Sequence, residues 1–344
     1  MAAILAAILA LAVHPSAAFI ERVYSNGAYA HWEPIAHVLT NWSPWSLGDL
    51  AVIAGVALVV WRIVARAREG RSSLPWRAAG MAALDVLAIL ALYAIWFEAG
   101  WGWNYDRAPI EARVAYDPSR ITPGAMSALR AKTIAEMNAL APLAHARASE
   151  TLDLDALRAA WLPVVQRGGD AWTPLVGAPK FTLADPFMNA NGTSGFINPL
   201  SLTVQSASDL LWFERPFDVA HEWSHLAAYA REDEANYIAA LTCLRSKDPV
   251  VRYSGWLSLF LYLPQMRHYR RSTFSPLVWS DFAAIRDRDR RRINLSFARF
   301  SWAAYNTYLE SNRVASGISS YGEVTRLMLG VPLDAQGLPV TSRT

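Results

Sequence analysis

The chain has 344 residues, of which 53% are hydrophobic and only 18% are charged. This balance is too apolar for an ordinary soluble enzyme and too polar for a protein that lies in a membrane throughout. The net charge of +3 comes largely from arginine clusters without interleaved aromatic residues, which argues against a nucleic-acid partner. Because Cys243 is the only cysteine, an intrachain disulfide and a cysteine-based zinc site are excluded, and a bound metal would need histidine and carboxylate ligands.

Three apolar stretches lie in the first hundred residues, at 2–20, 47–65 and 78–97. Each has about the length that a bilayer-spanning helix needs, so we predict a three-helix transmembrane anchor over residues 1–100. A cleaved signal peptide is the alternative for the first stretch, although no positively charged residue precedes it. Asp85 lies inside the third stretch, and we expect its side chain to face another helix rather than lipid.

The region between the second and third stretches is basic, and this predicts the orientation of the anchor. Its arginines are Arg62, Arg66, Arg68, Arg71 and Arg77, against a single acid, Glu69. Short basic loops stay on the cytoplasmic side, so residues 101–344 should form an extracytoplasmic domain. Tryptophans flank the spans as in an interfacial aromatic belt: Trp42, Trp45, Trp96, Trp101 and Trp103.

The rest of the chain reads as a mostly helical domain with a small β element. Apolar residues at three- and four-residue spacing predict helices over 123–147 and 151–166. Glycine, proline and asparagine mark 167–193 as a loop, and 194–206 reads as a short strand or hairpin.

Further helices are predicted near 215–229, over 232–245 and around 254–263. The last is only about half a span in length, which favours a core helix. The segment 267–292 holds eight arginines with interspersed aspartates. It is typical of a solvated helix face with local ion pairs, and a site for a polyanion or a lipid headgroup is the alternative.

The run DVAHEWSHLAAYAREDEAN at 218–236 carries the clearest chemical pattern. His221 and His225 are four residues apart, so on a helix both imidazoles project from one face and can share a cation. Glu222 lies beside that cation and can accept a proton from a metal-activated water. The pattern predicts a Zn²⁺ site with Glu222 as the general base.

Catalytic zinc usually has three protein ligands, and the acidic residues Glu232 and Glu234 follow the second histidine closely. A straight helix would carry Glu232 about 10 Å along the axis from His225, out of reach of the metal. We therefore predict a chain reversal near residues 228–231, after which an acid at the start of the next helix points back. Glu232 and Glu234 are the two candidates for the third ligand.

The segment from Glu232 to Asn236 resembles the E-x-x-A-D element of gluzincin peptidases, which include membrane-bound CaaX-processing and heat-shock types. This resemblance implies that Glu232 is the third ligand and that Asn236 orients a ligating histidine. Asn236 stands where the element has aspartate, and an amide would raise the basicity of the histidine less than a carboxylate.

A wider resemblance covers most of the chain. Its motifs are the three N-terminal spans, WGWNYDRAPIE (101–111), GFINPLS (195–201), HEWSHLAAYAREDEANYIAAL (221–241), RYSG (252–255) and AYNTYLESN with GISSYGEV (304–324). Together they look like the bacterial membrane family catalogued as domain of unknown function 3810. The resemblance implies a multi-pass protein of the bacterial inner membrane. Ala228 stands in the turn after the second histidine, where we would expect a glycine.

Two supporting features are expected around the metal. In zincins an edge strand pairs with the substrate main chain, and residues 196–206 are the candidate, although a plain core strand is an equal alternative. A donor for the oxyanion is also needed, and Tyr321, His268 and Arg252 are available. Tyr321 is preferred because it lies in GISSYGEV, one of the motifs that carry the family resemblance.

These observations predict a membrane-anchored, zincin-like metallopeptidase that hydrolyses peptide or protein substrates. The charged residues around the motif argue against a site buried within lipid. A non-catalytic, zinc-stabilised binding or scaffold module is the alternative, but a purely structural site has no need of Glu222.

Overall fold

The computed structural model describes residues 15–69, 75–264, 269–311 and 323–342. It is a mainly helical protein with one two-stranded antiparallel sheet, as predicted. The N-terminal elements are α1 (Ala17–Phe19), a π-helical segment (Ile20–Ala28), α2 (Tyr29–Thr40), α3 (Leu47–Glu69) and α4 (Pro75–Gly100). Short 3₁₀ turns follow at Gly102–Asp106, Ile110–Ala112 and Pro118–Arg120.

The remaining elements are α5 (Pro123–His145), α6 (Leu154–Arg167), α7 (Asp185–Asn191), β1 (Gly195–Asn198), β2 (Thr203–Ser206), α8 (Arg215–Leu226), α9 (Glu232–Arg245), α10 (Pro249–Tyr262), a 3₁₀ turn (Arg271–Thr273), α11 (Pro276–Arg292), α12 (Leu295–Ser311) and α13 (Val324–Gly330). Side-chain caps fix several helix starts because they satisfy backbone N–H groups that have no partner within the helix. These caps are Thr122, Asp153, Asp248 and Ser275.

Within the described residues, α3 and α4 are the two helices long and apolar enough to cross a membrane. Only 6% and 11% of their most apolar windows are buried, whereas a core helix of a soluble protein would be mostly buried. Within the described residues there are therefore two such helices rather than the three predicted for the whole chain. Residues 2–14 of the first predicted span lie outside the described residues. Its last residue, Ile20, is fully buried against the protein.

The basic region between these helices also differs from the prediction. Arg62, Arg66 and Arg68 belong to α3 and Arg77 to α4, while Arg71 lies outside the described residues.

Asp85 on α4 faces α3, as predicted. Its Oδ2 accepts hydrogen bonds from Arg62 Nη2 at 2.8 Å and from Arg66 Nε at 2.9 Å. Pairing of this kind compensates much of the cost of placing charges along an apolar helix pair. The ion cluster formed by these three residues holds α3 and α4 together.

Helix α9 lies at the centre of the helical domain, where it packs against α6, α8, α10 and α13. All of its residues from Glu232 to Cys243 are buried. Helix α8 is almost as enclosed, since every residue from Pro216 to Leu226 is buried. A charged motif can lie this deep only if its polar groups have partners or ligands.

Several element boundaries differ from the sequence predictions. Helix α7 lies inside the segment predicted as a loop, and it is too short for its periodicity to be recognised. Helix α10 begins at Pro249 rather than 254, because Asp248 caps its N-terminus. Helix α8 ends at Leu226 rather than 229, because the chain turns at Ala228.

The predicted hairpin at 194–206 is present as β1 and β2. Lys180 pairs with the far side of β2, so β1 is the outer strand of this small sheet. The hairpin packs onto the start of α3. A Cβ atom on Gly48 would lie 2.3 Å from the Asn198 side chain, so this contact requires glycine.

Candidate metal centre

The metal-binding motif occupies α8, where two histidines project from one helix face. His221 and His225 bring their Nε2 atoms within 3.1 Å of each other. Pro216 in the first turn suits the helix start, since proline has no N–H and the first turn does not use one. The i, i+4 spacing therefore produces the predicted convergence of two imidazoles.

The predicted chain reversal follows directly after α8. Ala228 adopts a left-handed conformation with φ of 66°, and Tyr229 N donates to Ser224 O at 3.1 Å. Left-handed φ usually requires glycine, which explains why glycine is expected at this position. The turn lets α9 start at Glu232, facing back toward α8.

Glu232 completes a cluster with the two histidines. Its Oε2 lies 3.2 Å from His221 Nε2 and 3.6 Å from His225 Nε2. The three residues are buried, and their candidate ligand atoms all lie within 4.8 Å of one another. They form the one such group of metal-ligating side chains found in the described part of the chain.

The cluster fits a metal ion with tetrahedral geometry. Ligand atoms at about 2.0–2.1 Å from a tetrahedral zinc lie about 3.3–3.4 Å from one another. The three observed separations of 3.1, 3.2 and 3.6 Å bracket that value. Glu232 Oε2 is fully buried and makes no hydrogen bond of standard geometry within the described residues, as expected of an atom reserved for a cation.

The protonation states also suit metal binding. His225 Nδ1 lies 2.8 Å from Tyr229 O, so the ring donates there and presents the lone pair of Nε2 to the cluster. Burial lowers the pKa of His221 and favours the neutral imidazole that a metal requires. For Glu232, burial opposes ionisation, but attraction to the facing imidazoles in their protonated form outweighs it and holds the pKa of Glu232 well below the ordinary value. A cation bound in place of those protons would favour the carboxylate in the same way.

Tyr305 on α12 positions Glu232, although the sequence analysis did not single it out. Its hydroxyl donates to Glu232 Oε1 at 2.8 Å, which leaves Oε2 directed at the histidines. Such contacts behind a ligand orient it and tune its basicity. Tyr305 lies in the AYNTYLESN motif, and its place in that motif is the feature of the sequence that could have indicated it.

Asn236, predicted to orient a histidine, lies next to His221 and interacts with it. Its Oδ1 accepts a hydrogen bond from the Tyr262 hydroxyl at 3.0 Å. His221 Nδ1 makes no hydrogen bond of standard geometry within the described residues. The orienting role of Asn236 therefore stays a prediction.

Glu222 lies beside the cluster without being part of it. Its Oε1 is 3.9 Å from His221 Nε2, and its Oε2 is buried without a hydrogen bond within the described residues. Burial, with Asp218 and Glu232 nearby, raises the pKa of Glu222 well above its ordinary value. This carboxyl group can exchange a proton with a water molecule held next to the histidines.

Asp218 is a second acid on the same helix face that the sequence analysis did not single out. Its Oδ2 accepts from Ser206 Oγ at 2.5 Å, which ties α8 to β2. Burial raises the pKa of Asp218 to about 6. The sequence could have indicated Asp218 by its spacing, since positions 218, 221, 222 and 225 share one face of a helix.

Glu234, the alternative third ligand, points away from the histidines. It accepts from Ile110 N at 2.9 Å and from Arg113 Nη2 at 3.3 Å. Glu234 thus anchors the segment after α4 to the start of α9.

Side chains from the N-terminal half of the chain bind the last carbonyls of α8, which have no partner within the helix. Tyr29 donates to Leu226 O at 2.8 Å, Trp101 Nε1 to His225 O at 3.1 Å, and Arg107 to Ala227 O at 3.3 Å. Arg107 is itself held by Asp170 at 2.6 Å. The WGWNYDRAPIE motif therefore supports the position of His225.

Of the three predicted oxyanion donors, Arg252 is the one that lies within the described residues. Tyr321 and His268 lie outside the described residues. Arg252 pairs with Glu136 at 3.1 Å and does not line the cavity at the metal cluster. Four tyrosine side chains from other elements do line it: Tyr93, Tyr105, Tyr262 and Tyr305.

A cavity of about 1350 Å³ opens beside the cluster. Gly195, Phe196 and Ile197 of β1 line it, so the outer strand of the hairpin faces the same space as Glu222. A Cβ atom on Gly195 would lie 2.8 Å from Glu222 Oε1 and from Asp218 Oδ1. Glycine at this position therefore keeps the space between β1 and Glu222 open.

Fold and site together define a mainly helical protein with two apolar helices and a buried His–His–Glu cluster that could hold a metal ion. The chain belongs to the family described as protein of unknown function (DUF3810), whose model matches residues 24–329. This match confirms the family predicted from the sequence motifs. No curated protein and no solved structure matches the chain.

Proposed function

We propose that this protein is a membrane-anchored, zinc-dependent peptidase with a gluzincin-like ligand set of His221, His225 and Glu232. The observation that carries the proposal is the position of Glu222, whose carboxylate lies 3.9 Å from a ligand nitrogen but outside the cluster. A purely structural zinc site normally has four protein ligands and no adjacent base.

Zinc in such a set lowers the pKa of a bound water and polarises a carbonyl group. Glu222 accepts the proton of the attacking water and delivers it to the nitrogen of the leaving amine. Tyr305 keeps Glu232 oriented throughout, and Asp218 with Ser206 fixes the distance between α8 and the hairpin. The oxyanion donor is assigned to Tyr321, which remains a prediction from the sequence.

The outer strand β1 is an argument for a polypeptide as the substrate. Its residues Gly195, Phe196 and Ile197 line the cavity, and we expect an extended peptide in this space to pair with the edge of β1 that β2 does not use. Main-chain pairing places a peptide bond beside Glu222 with little dependence on side chains. We expect the domain to lie on the extracytoplasmic side of the bacterial inner membrane, with α3 and α4 as its anchor.

The test is to purify the full chain in lipid nanodiscs and to measure bound zinc and cleavage of casein and a mixed peptide pool. Glu222→Gln should retain zinc and lose cleavage by roughly a hundredfold or more, because proton transfer by a positioned base contributes about that much. Glu150→Gln serves as the matched control, since Glu150 is exposed and pairs only with Arg147 among the described contacts.

Two results would contradict the proposal. Absence of bound metal from the wild-type protein under metal-replete conditions would exclude the site itself. Cleavage by Glu222→Gln at the wild-type rate would exclude the mechanism. Zinc binding without cleavage of any peptide would instead support a zinc-stabilised scaffold.

A further inference from the structure

Part of the cavity lining is apolar and exposed, and we call this part the mouth of the cavity. Four side chains both line the cavity and are 48–74% exposed: Tyr93, Phe187, Leu261 and Phe300. They come from four different helices, α4, α7, α10 and α12. Large apolar groups gathered in this way at one opening mark a contact with an apolar partner or lipid.

One wall of this mouth belongs to the apolar helix α4. Trp76 and Trp96, both exposed, lie roughly 30 Å apart along the helix axis, the thickness of a hydrocarbon core. Tryptophans at this spacing are typical of the two interfacial belts. Tyr93 and Ala94, which line the cavity, lie about 3–5 Å on the hydrocarbon side of Trp96. The mouth therefore opens at the edge of the acyl chains.

The cavity lining also contains polar residues. Asn189 and Asn191 lie on α7, the helix of Phe187, and Thr193 and Ser194 lie directly before β1, whose first residue, Gly195, approaches Glu222. A ligand that fills the cavity must therefore combine an apolar part with groups that form hydrogen bonds. A polypeptide with an apolar membrane segment and an adjoining polar segment has this combination.

A phospholipid fits the polar part less well. The two arginines that line the cavity already face carboxylates: Arg288 pairs with Glu214 and with Asp289, and Arg292 lies 3.8 Å from Asp209. A lipid phosphate could bind these arginines only in competition with the carboxylates that they already face. The outer strand β1 adds main-chain groups suited to a peptide.

We propose that the substrate enters this cavity from the bilayer: its apolar membrane segment lies between α4 and α12, and the polar segment that follows pairs with β1 beside Glu222. This inference rests on the proposed peptidase function and specifies its substrate class as membrane-anchored polypeptides cut close to the membrane surface.

The experiment compares two peptide pools on the full chain in nanodiscs. Both carry the same randomised polar tail, and only one carries an apolar helix of about 20 residues. We expect cleavage in the tail of the anchored pool, roughly tenfold faster than in the free pool. Phe300→Ser should slow cleavage of the anchored pool alone by roughly tenfold, the effect of losing one buried aromatic contact. Leu143→Ser, at an exposed leucine outside the cavity, is the matched control.

Equal cleavage of both pools, unaffected by Phe300→Ser, would overturn the inference and leave the peptidase function intact. Absence of all cleavage would contradict the peptidase function, and a binding measurement then decides the inference. For this purpose, a photoreactive phenylalanine replaces Phe300 in the Glu222→Gln protein. Crosslinks to the anchored peptide support entry from the bilayer. Crosslinks to phospholipid alone, or to neither, overturn it.

Discussion

Tyr305 illustrates how a single hydroxyl group can set the affinity of a metal site. It donates to the Glu232 oxygen that does not face the histidines, so it controls both the rotamer and the basicity of the carboxylate. Tyr305→Phe removes this hydrogen bond with little change in side-chain volume. We expect zinc affinity to fall by roughly tenfold or more, measured by competition with a chromophoric chelator.

The control for this substitution is Tyr116→Phe, because the Tyr116 hydroxyl contacts Arg326 rather than the metal cluster. Its zinc affinity should match that of the wild-type protein. If Tyr305→Phe binds zinc as tightly as the wild-type protein, the hydrogen bond from Tyr305 does not support Glu232 as a ligand.

Glu33 is a buried acid outside the metal centre that should make stability depend on pH. Burial raises its pKa from 4.5 to about 8, although its Oε2 accepts from Leu175 N at 3.1 Å. The folded protein keeps this proton at pH values where the unfolded chain loses it, so stability falls as pH rises between about 4.5 and 8. Each pKa unit is worth about 1.4 kcal/mol.

We therefore expect Glu33→Gln, which keeps the acceptor for Leu175, to melt at a higher temperature than wild type at pH 8 and at a similar temperature at pH 5. Thermal unfolding at the two pH values measures this. A melting temperature that differs from wild type by the same amount at both pH values would show that Glu33 is not the responsible group.

At the scale of elements, the α3–α4 pair depends on the ion cluster of Asp85, Arg62 and Arg66. Asp85→Ala leaves both arginines on an apolar helix pair without their shared acceptor, which is destabilising. We expect a clear loss of thermal stability in nanodiscs. The triple leucine variant of all three positions should recover most of it, because no unpaired charge remains. Failure of the triple variant to recover would indicate a role beyond helix pairing.

The turn between α8 and α9 depends on the left-handed conformation of Ala228. A β-branched side chain is strongly disfavoured at φ of 66°, whereas glycine adopts it freely. Ala228→Val should therefore lose zinc as well as stability, since the turn directs Glu232 toward the histidines. Ala228→Gly should stay within about 1 kcal/mol of wild type. Zinc content and chemical unfolding of both variants provide the measurement, and equal behaviour of the two would contradict this account of the turn.

At the scale of the whole molecule, the metal should act as a structural link between α8 and α9 as well as a chemical group. A ligand that binds only the folded state stabilises it, by about 2.7 kcal/mol at a hundred times its dissociation constant. Removing the metal with a chelator should lower the melting temperature of the wild-type protein. The effect should disappear in His225→Ala, which has lost a ligand, and persistence of the effect there would place the stabilising metal elsewhere.

Sequence reasoning located the parts of the site that are close in the chain. The convergence of His221, Glu222 and His225 follows from helical periodicity, and the chain reversal follows from the distance that a straight helix would impose. The choice of Glu232 as third ligand came from the resemblance to the gluzincin element. Tyr305 and the groups that bind the end of α8 could not be predicted in this way, because they come from distant segments and meet only in the folded domain. Helix α7 is too short to show a period, and the third apolar helix was inferred from composition alone.

The contact between Gly48 and Asn198 joins the start of an apolar helix to the tip of the β hairpin. Apolar helices adjust their tilt when the bilayer is thinner or thicker than their own length. A change in the tilt of α3 should therefore displace the hairpin and alter the gap between Gly195 and Glu222. The proposed peptidase activity should then depend on the acyl-chain length of the surrounding lipids, so that the composition of the membrane would regulate the site.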